Sequence, residues 1–470
     1  MNTPAYLRPQ SADEVAHALR VHPDAQLLAG GQSLLAAWRL GLCQPSHFVD
    51  LQDVPGMQDI RSEGQALWLG AMCTHARIAQ SDWVRSQTLM LSTLAEGIAD
   101  AQIRNVGTLG GSLANNDPAA CWPTAVLALN AEIVTNLRSI AADDFFQGLF
   151  TTALAPGEWI LGVRFPKVAF AAYRKFEQKA SRFALVGVAV ARSPHGAVRV
   201  AITGLGHGVT RWAAAEAALT AHWGVSSLDA ITLEATHAFS DIHATALYRA
   251  HLARVLCRRV VACDTGESAN LPWHAHNLTP TVHQEARLQG SHMLQATPID
   301  VWQHLLDPTV LQSCIPGCES MTQVEPNHYL AIVKIGLGPI SAKFKTQVAL
   351  FPDTRHASQV PRSCRLVISG QAGDLGEGKA TVHVQLHASQ DSAHASPCTR
   401  IDWQATPEIS GKLAQLGNRL MDATAHSLSQ QFFNRFSARL SGQPPVSRPL
   451  FFFYAWRQRA KSWFQRFFER

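Results

Sequence analysis

The sequence lacks both a long uncharged apolar run and an ordered set of cysteines. No apolar stretch reaches the roughly 20 residues of a transmembrane helix, and residues 1–8 do not begin a signal peptide, because no apolar core follows them. Nine cysteines are scattered among 470 residues. The one close pair, Cys314 and Cys318, lacks Cys-x-x-Cys spacing and a second pair to complete a metal site. We therefore expect free thiols in a reducing cytoplasm.

The common phosphate-binding motifs are also missing. The chain contains no Gly-x-Gly-x-x-Gly and no Gly-Lys-Ser/Thr, which argues against a Rossmann fold or a Walker loop. Apolar residues make up 47% of the chain and the net charge is only +5, as in globular proteins that bury a core. A length of 470 residues predicts about three domains.

Two stretches of small residues stand out instead. They read Ala29-Gly30-Gly31-Gln32-Ser33 and Thr108-Leu109-Gly110-Gly111-Ser112. A backbone this bare can approach a ligand closely, and successive N–H groups suit phosphate oxygens. The pair predicts a dinucleotide whose phosphates are held by backbone N–H groups of both loops, with Ser33 as the N-cap of a helix over 34–39. The alternative is two ordinary tight turns.

The two stretches closely resemble the FAD loops in the medium subunits of molybdenum hydroxylases, and the nearest group is the aerobic carbon monoxide dehydrogenases. The resemblance continues to about residue 263 and includes Asp117-Pro118-Ala119-Ala120 and Asp241-Ile242-His243-Ala244. It implies an α+β fold with FAD as the cofactor. Residues 1–166 resemble an FAD-binding PCMH-type domain. Residues 167–263 resemble a flavoprotein C-terminal domain, whose antiparallel sheet and helices close over the flavin.

The same resemblance implies a set of FAD-contacting residues. Lys179 and Phe183 align with positions that the family places near the isoalloxazine ring, although the residues by themselves equally fit a surface lysine and a core phenylalanine. The full set is Ala29, Gly30, Gly31, Gln32, Ser33, Thr108, Leu109, Gly110, Gly111, Ser112, Asn115, Asp117, Cys121, Leu161, Lys179 and Phe183.

The chain departs from the family pattern at Cys121. The family usually reads Asp-Pro-Ala-Ala-Asp here, and its second acid hydrogen-bonds the cofactor. Cysteine is a weak hydrogen-bonding partner, so we expect FAD binding to be weakened by about 1–3 kcal/mol. The segment 134–138 also leaves little room for the family's strand pair after Glu132.

Apolar periodicity and capping or turn residues predict the helices and strands of the first 263 residues. Ser11 and Glu14 form a capping-box signature for a helix over 11–19. Further strands are expected at 26–28, 48–51, 66–70, 132–135 and 160–165, and helices at 91–99 and 124–129. Beyond 166 we expect strands at 173–176, 183–192 and 198–205, and helices at 211–221, 228–238 and 244–263. Residues 264–284 lack apolar periodicity and predict a linker.

Residues 285–440 predict a third domain of a different kind. Strands are expected at 285–294, 329–335, 342–351, 362–370, 378–388 and 400–406, with helices at 298–306 and 411–440. This is the helix-grip order, in which a sheet wraps a long helix and leaves an apolar cavity. Cys314-Ile315-Pro316-Gly317-Cys318 and Gly338-Pro339-Ile340 closely resemble the CoxG proteins of carbon monoxide dehydrogenase. That START-like (SRPBCC) family is associated with recruiting the hydroxylase to the membrane, and the two cysteines then belong to a family loop.

Residues 441–470 predict a Pro-rich hinge and an amphipathic helix. An aromatic stripe is formed by Phe452, Phe453, Trp456, Trp463, Phe464 and Phe467, and it is flanked by Arg457, Arg459 and Arg466. This pattern is typical of a helix that lies in the plane of a membrane. The alternative is a tail that docks on another subunit. Nucleic acid is disfavoured, because the basic residues rim an apolar stripe instead of forming one basic face.

These expectations combine into a hypothesis about function. The chain is an electron-transferring FAD subunit of a molybdenum hydroxylase, peripheral on the inner face of the cytoplasmic membrane. It takes electrons from a small [2Fe–2S] subunit, beside a large molybdopterin-binding subunit, and passes them toward a quinone or another acceptor. A quinone or other lipid is the expected ligand of residues 285–440. The competing hypothesis is a non-catalytic membrane-recruitment or lipid-binding adaptor with a degenerate flavin site, and Cys121 is its best support.

Overall fold

The computed structural model describes residues 3–235, 238–241, 243–267, 288–337, 340–353, 363–373, 376–390, 397–411 and 418–440. The chain divides into two compact units, residues 1–279 and, apart from 337–340, residues 280–470. In the described ranges, every helix is too short or too polar to cross a bilayer. The predictions for the linker beyond residue 267 and for residues 441–470 lie outside the described residues.

Short elements build the first α+β domain. Its strands are β1 Ala5–Leu7, β2 Gln26–Leu28, β3 His47–Asp50, β4 Ile60–Glu63, β5 Ala66–Gly70, β6 Glu132–Thr135, β7 Ser139–Ala141, β8 Phe146–Gly148, β9 Thr151–Thr152 and β10 Ile160–Phe165. Its helices are α1 Ala12–Val21, α2 Leu34–Arg39, α3 His75–Gln80, α4 Asp82–Gln87, α5 Leu89–Glu96, α6 Ala101–Val106, α7 Leu109–Asn115, α8 Cys121–Ala128 and α9 Ala142–Phe145. The sheet orders are β1-β3-β2 and β4-β5-β10-β6-β7, and β8 pairs with β9.

Two helix starts test the capping predictions. Ser11 Oγ accepts from the N–H of Glu14 at 3.2 Å, and the Glu14 carboxylate accepts from the N–H of Gln10 at 2.7 Å, so α1 is capped largely as predicted. Helix α2 also begins at Leu34 as expected. The prediction that Ser33 caps it is wrong, because its backbone is helical and its side chain makes no cap bond. An N-cap oxygen reaches the first turn only from an extended backbone.

The next sheet belongs to the second domain of the same unit. Its strands are β11 Phe170–Glu177, β12 Ala184–Arg192, β13 Val198–Thr203 and β14 Thr210–Arg211, in the order β11-β12-β13-β14 with antiparallel pairs. Helices α10 Ala213–Ala221 and α11 Ala246–Thr265 follow, with a 3-10 turn at Val225–Leu228. Strand β12 is apolar up to residue 191 because both of its faces are buried. Val186 and Val188 pack in the core that contains α11, while Ala189 and Ala191 join the core of the first domain.

The predicted helix over 228–238 is wrong. The described residues after Leu228 continue irregularly to residue 234, although their composition suits a helix. The Asp229 carboxylate instead forms an ion pair with Arg258 on α11, and Leu228 is buried in the core. Tertiary contacts of this kind override a weak local propensity.

The second unit has the predicted helix-grip order. Its strands are β15 Leu288–Leu294, β16 Cys318–Glu325, β17 His328–Leu337, β18 Ile340–Pro352, β19 Ser363–Gln371, β20 Glu377–Gln390 and β21 Pro397–Ile409, in the sheet order β15-β21-β20-β19-β18-β17-β16. Its helices are α12 Pro298–Leu306, α13 Pro308–Cys314 and the long α14 Asn418–Leu440. Strand β16 and helix α13 were not predicted.

Aromatic packing holds α14 on the sheet. Phe436 is fully buried and Phe433 nearly so. The Phe433 ring stacks on His292 at 4.2 Å and on Trp403 at 6.4 Å between centroids. Burying such rings supplies much of the stability of a small core. The predicted apolar cavity between this helix and the sheet stays a prediction, because residues 412–417 before the helix lie outside the described residues.

Candidate functional site

A cleft of about 440 Å³ opens in the first unit, within the usual size range of ligand sites. Both glycine-containing stretches line it, although they are far apart in the sequence. The predicted site residues that line it are Ala29, Gly30, Gly31, Gln32, Ser33, Thr108, Gly110, Gly111, Ser112, Asn115, Asp117, Cys121 and Phe183. Their contacts with a cofactor remain predictions, but the fold brings them to one place.

At Gly30 the first stretch meets the residues just before the second. A Cβ added there would lie 2.3 Å from the Val106 oxygen and 2.7 Å from the Gly107 Cα. Those distances are far inside van der Waals contact, so only glycine allows the two backbones to pack this closely. The following residue, Gly31, has a φ of 66°, which also favours glycine. The bare composition of residues 29–33 is therefore explained by packing as well as by ligand access.

The first stretch also presents free hydrogen-bond donors. The backbone N–H groups of residues 30–33 make no hydrogen bond with any described residue, while the Gly30 oxygen accepts from the Gln32 side chain at 3.2 Å. Successive N–H groups around a left-handed residue form a concave anion site. These donors line the cleft and fit the phosphates of a dinucleotide, as the sequence predicted.

The second stretch differs, because its donors are already used. The N–H of Leu109 donates to Cys73 O at 3.0 Å and that of Gly110 to Ala71 O at 2.8 Å. The N–H groups of Gly111 and residue 112 donate to Thr108, to Oγ1 at 3.1 Å and to the carbonyl at 3.1 Å. The backbone N–H groups of 109–112 are thus bonded within the fold, and the role of this loop in holding phosphate stays a prediction. These bonds anchor the start of α7 to the chain after β5.

The second domain fixes the segment that ends at Cys121. Pro118 O accepts from the Thr203 hydroxyl and from the Gly204 N–H, both at 2.8 Å. Asp117 Oδ1 accepts from the N–H of residue 119 at 2.8 Å, which closes a tight turn. Cys121 then begins α8 in the cleft wall. Burial raises the pKa of its thiol, although the charge of Lys175 opposes the shift.

Three basic side chains hold the turn 97–99, whose second and third residues line the cleft. Lys175 Nζ donates to the first carbonyl of this turn at 2.7 Å, and Arg104 Nη1 donates to the second and third at 2.9 and 2.8 Å. Arg182 Nη1 also reaches the third at 3.3 Å. Ala99 is left-handed, with a φ of 44°. These cation-assisted bonds stabilise a strained turn and tie the β11–β12 hairpin to the first domain.

Three predicted site residues lie outside the cleft. Leu109 is fully buried in the core. Leu161 follows Ile160, which does line the cleft, but it lies where the register of β10 shifts and it packs partly against the core. Lys179 is exposed at the tip of the β11–β12 hairpin. Any role of these three in FAD binding remains a prediction.

The cleft also contains residues that sequence reasoning missed, including the buried acid Glu158. Burial alone would raise the pKa of its carboxyl. Hydrogen bonds from Arg138 at 3.0 Å, the N–H of residue 155 at 2.8 Å and the Thr135 hydroxyl at 2.7 Å outweigh that effect, so the pKa lies below its usual range. Glu158 is therefore a structural carboxylate with satisfied oxygens.

His75 is the second missed residue. It begins α3, lines the cleft and is only 5% exposed. Its Nδ1 accepts from Trp122 Nε1 at 3.0 Å. Burial, followed by the charge of Arg104, lowers the pKa of the imidazole to about 4. A single histidine after a strand gave no signal in the sequence, because its environment comes from α8.

Comparison with known proteins agrees with this architecture. The profile of the family described as "FAD binding domain in molybdopterin dehydrogenase" matches residues 2–168. The profile of the CoxG family of carbon monoxide dehydrogenase matches residues 290–441. The nicotine 6-hydroxylase medium subunit of Paenarthrobacter nicotinovorans is 36% identical over 280 residues, which cover 56% of this chain and 98% of that protein. The carbon monoxide dehydrogenase medium chain of Afipia carboxidovorans is 34% identical over 273 residues, covering 54% and 94%.

Solved structures extend the similarity to the fold. A chain of quinoline 2-oxidoreductase from Pseudomonas putida 86 superposes with a TM-score of 0.52 at 30% identity, covering 56% of this chain and 98% of its own. A chain of carbon monoxide dehydrogenase from Hydrogenophaga pseudoflava superposes with a TM-score of 0.51 at 30% identity, with the same coverage.

The fold and the cleft define the first unit as an FAD-binding oxidoreductase module. The chain belongs to the medium, FAD-binding subunits of the molybdenum hydroxylase and carbon monoxide dehydrogenase family, with a CoxG domain fused behind them.

The residues present fit the FAD that this family membership implies. Unpaired N–H groups at 30–33 offer donors to phosphate, and Gly111 leaves room where a Cβ would come within 2.9 Å of Thr108 Oγ1. The one poor fit is Cys121, whose buried thiol stands where the family has an acid. The cleft is therefore the expected FAD site, and its individual contacts with FAD remain predictions.

Proposed function

We propose that this chain carries electrons from the molybdenum site of a hydroxylase toward an acceptor in the membrane, and that its second unit recruits the enzyme to that membrane. The single observation behind the proposal is the fusion itself. One polypeptide carries an FAD-binding medium subunit and a CoxG domain, so each flavin site is made together with its recruitment domain.

The first unit supplies the electron-transfer part. FAD, when bound, can exchange electrons singly and in pairs, which suits an exchange between one-electron and two-electron partners. The chain's own residues bind and orient it: the free N–H groups of 30–33 receive the phosphates, and the hairpin before Phe183 covers the cleft. Lys175 and Arg182 hold that hairpin on the turn 97–99, which limits the access of water.

Partner subunits supply the other redox centres. The described residues contain no group of three or more histidines, cysteines or acids that could hold a metal ion. The similar proteins are named as medium subunits or chains, a term that implies assemblies with large and small subunits. We therefore propose a small [2Fe–2S] subunit as the electron donor and a large molybdopterin-binding subunit that selects the substrate.

The second unit and the tail supply the membrane part of the proposal. The sequence of 450–468 combines an aromatic stripe with a basic rim, and each basic residue near anionic lipid adds about 1 kcal/mol of binding. Residues 264–267 belong to the first unit, since α11 ends at Thr265 and Glu267 accepts from the Val225 N–H. The rest of the predicted linker lies outside the described residues, and as a flexible chain its 17 residues over 268–284 would span roughly 23 Å. That reach lets a lipid-binding domain exchange between the flavin unit and the cytoplasmic face of the membrane. A quinone held between α14 and the sheet is the proposed acceptor.

Vesicle binding tests the membrane part. The full chain and a chain truncated after Leu440 are mixed with anionic phospholipid vesicles and sedimented at low and at high salt. We expect the full chain to bind, to dissociate at high salt, and to show flavin bands near about 370 and 450 nm, a general property of flavins. The truncated chain should remain yellow and stay in solution. Equal binding of the two chains would show that the tail is no anchor.

A matched variant separates the contribution of the tail's positive charge to vesicle binding from that of its buried aromatic stripe. Replacement of Arg457, Arg459 and Arg466 by Gln keeps the aromatic stripe, so it should weaken binding mainly at low salt. A colourless full-length protein that FAD does not turn yellow would contradict the electron-transfer part and favour the adaptor with a degenerate flavin site. Lipid extracts of protein purified from its native membranes should contain a quinone, and an extract without quinone or other lipid favours simple docking.

A further inference from the structure

The proton on the His75 ring has a defined position. Trp122 is fully buried, and an indole N–H can only donate. Because Trp122 Nε1 lies 3.0 Å from His75 Nδ1, that nitrogen must be the acceptor and carries no proton. The neutral imidazole therefore holds its proton on Nε2.

The Nε2–H lies beside Gly107, just before the second glycine stretch. A Cβ added at Gly107 would come within 2.9 Å of His75 Nε2, and the backbone N–H of His75 donates to Gly107 O at 2.9 Å. Gly107 is the residue that Gly30 contacts from the other side. His75 thus lies against Gly107, where the first glycine stretch approaches the chain before the second, and its ring forms part of the wall of the cleft.

This donor has no acceptor in the described part of the chain. The neighbouring Ile103 carbonyl accepts from the Gly107 N–H at 2.7 Å, and the bond to Trp122 uses only Nδ1. The residue as a whole is only 5% exposed, but Nε2 is not among the fully buried atoms that lack a partner, and the side chain lines the cleft. A ligand in the cleft that provides an acceptor would therefore gain a hydrogen bond from it.

The environment also keeps the ring uncharged. Burial and the charge of Arg104 lower the pKa of His75 to about 4, so at neutral pH it acts as a neutral donor. A neutral donor can bind a phosphate oxygen that other N–H groups also contact, without placing a second cation beside Arg104.

We propose that His75 is an FAD-binding residue that donates its Nε2–H to an oxygen of the cofactor's diphosphate, and that Trp122 holds the tautomer that makes this bond possible. The proposal rests on FAD binding in this cleft. The diphosphate is favoured over the flavin ring because Nε2 lies beside Gly107, which Gly30 also approaches closely, whereas Phe183, which the family places near the ring, comes from the second domain.

The test compares His75→Leu and His75→Gln in the full-length apoprotein. FAD and ADP both carry a diphosphate, and riboflavin carries none, so their dissociation constants locate the bond. In His75→Leu we expect FAD and ADP to bind about 5- to 150-fold more weakly, or about 1–3 kcal/mol, with riboflavin unchanged. His75→Gln retains an N–H donor and should recover most of the affinity. The ³¹P resonances of bound FAD should shift between wild type and His75→Gln.

A second variant removes the folding ambiguity. His75→Leu leaves the Trp122 N–H without an acceptor, so the double variant His75→Leu/Trp122→Phe is measured beside it, with thermal unfolding as the check on folding. A folded variant that binds FAD as tightly as wild type overturns the proposal. An equal loss for riboflavin also overturns it, because the donor then serves the flavin or ribityl part. A wild-type chain that binds no FAD would instead refute the function proposed above.

Discussion

The two glycine-containing loops of the cleft have nearly the same composition and opposite hydrogen bonding. At 30–33 the backbone N–H groups make no hydrogen bond with described residues, while those at 109–112 are all bonded inside the fold. The glycines differ in the same way. A Cβ at Gly110 would lie 2.6 Å from the Ala71 Cβ and 2.9 Å from its carbonyl oxygen, whereas one at Gly111 meets only Thr108 Oγ1 at 2.9 Å and Ala29 Cβ at 3.6 Å.

This contrast shows that a stretch of glycine and other small residues can serve two separate purposes. Glycine allows backbone to approach a ligand, and it equally allows two segments of backbone to approach each other. In the first loop the donors stay free for an anion. In the second loop the missing side chains let α7 start against the chain after β5, and one neighbouring side chain, His75, presents a donor in place of the loop's own N–H groups.

The largest expected effect is on FAD affinity, and it distinguishes the roles of two adjacent glycines in the second loop, Gly110 and Gly111. In Gly111→Val the added methyl groups enter the space between the loops, so FAD should be lost. The expected weakening is about 3 kcal/mol or more, which is over 100-fold, and the apoprotein should remain folded. Gly110→Ala should instead lower the free energy of unfolding by about 1–3 kcal/mol, because its Cβ clashes with Ala71. FAD titration and urea unfolding of the apoproteins measure the two effects.

Gly97→Ala is the matched control in the same unit. Its Cβ would meet only carbonyl oxygens at 3.5 Å, which is ordinary contact, so neither stability nor FAD binding should change much. Full retention of FAD by Gly111→Val would show that the second loop is not part of the FAD site. Unchanged stability in Gly110→Ala would show that the loop is not packed as the structure has it.

The next prediction concerns the stability of the folded chain at low pH, and it tests the buried imidazole of His75 beside the second loop. The pKa of His75 is about 4 in the folded chain, against 6.5 for an unperturbed histidine. As pH falls from about 6.5 to 4, the unfolded chain binds a proton that the folded chain does not, so stability is lost on acidification. The loss approaches about 3 kcal/mol below the lower value.

His75→Gln isolates this effect from the other histidines. Urea unfolding of the apoprotein at pH 7 and at pH 4.5 should show a smaller acid loss in the variant, because glutamine does not titrate. If wild type and variant lose the same stability over this interval, His75 is not the buried neutral ring that the structure shows.

Composition and local pattern predicted much of this fold, but not the distribution of donors. The strand at 66–70 and the helix at 34–39 follow from apolar periodicity, and the two loops follow from their glycines. Whether an N–H is free depends on which carbonyl the fold places opposite it, as with Ala71 and Cys73. Ser33 failed as a cap, and the 228–238 helix failed to form, for the same reason. His75 became visible only when α8 brought Trp122 against it.

The smallest expected effect tests the poorest fit to FAD. Cys121→Asp restores the acid of the family pattern at a position that lines the cleft. The new carboxylate would be buried, which opposes its ionisation, but the positive charge of Lys175 acts on this site already and favours the anion. We expect FAD to bind more tightly by about 1–3 kcal/mol, measured by titration of the apoprotein.

Cys121→Asn keeps the shape without the charge, and a smaller gain there would assign the difference to the carboxylate. Cys121→Ala should bind like wild type if the thiol contributes no hydrogen bond. Unchanged or weaker binding in a folded Cys121→Asp protein would mean that position 121 does not touch the cofactor here. FAD binding would then rest on the first loop and its free N–H groups.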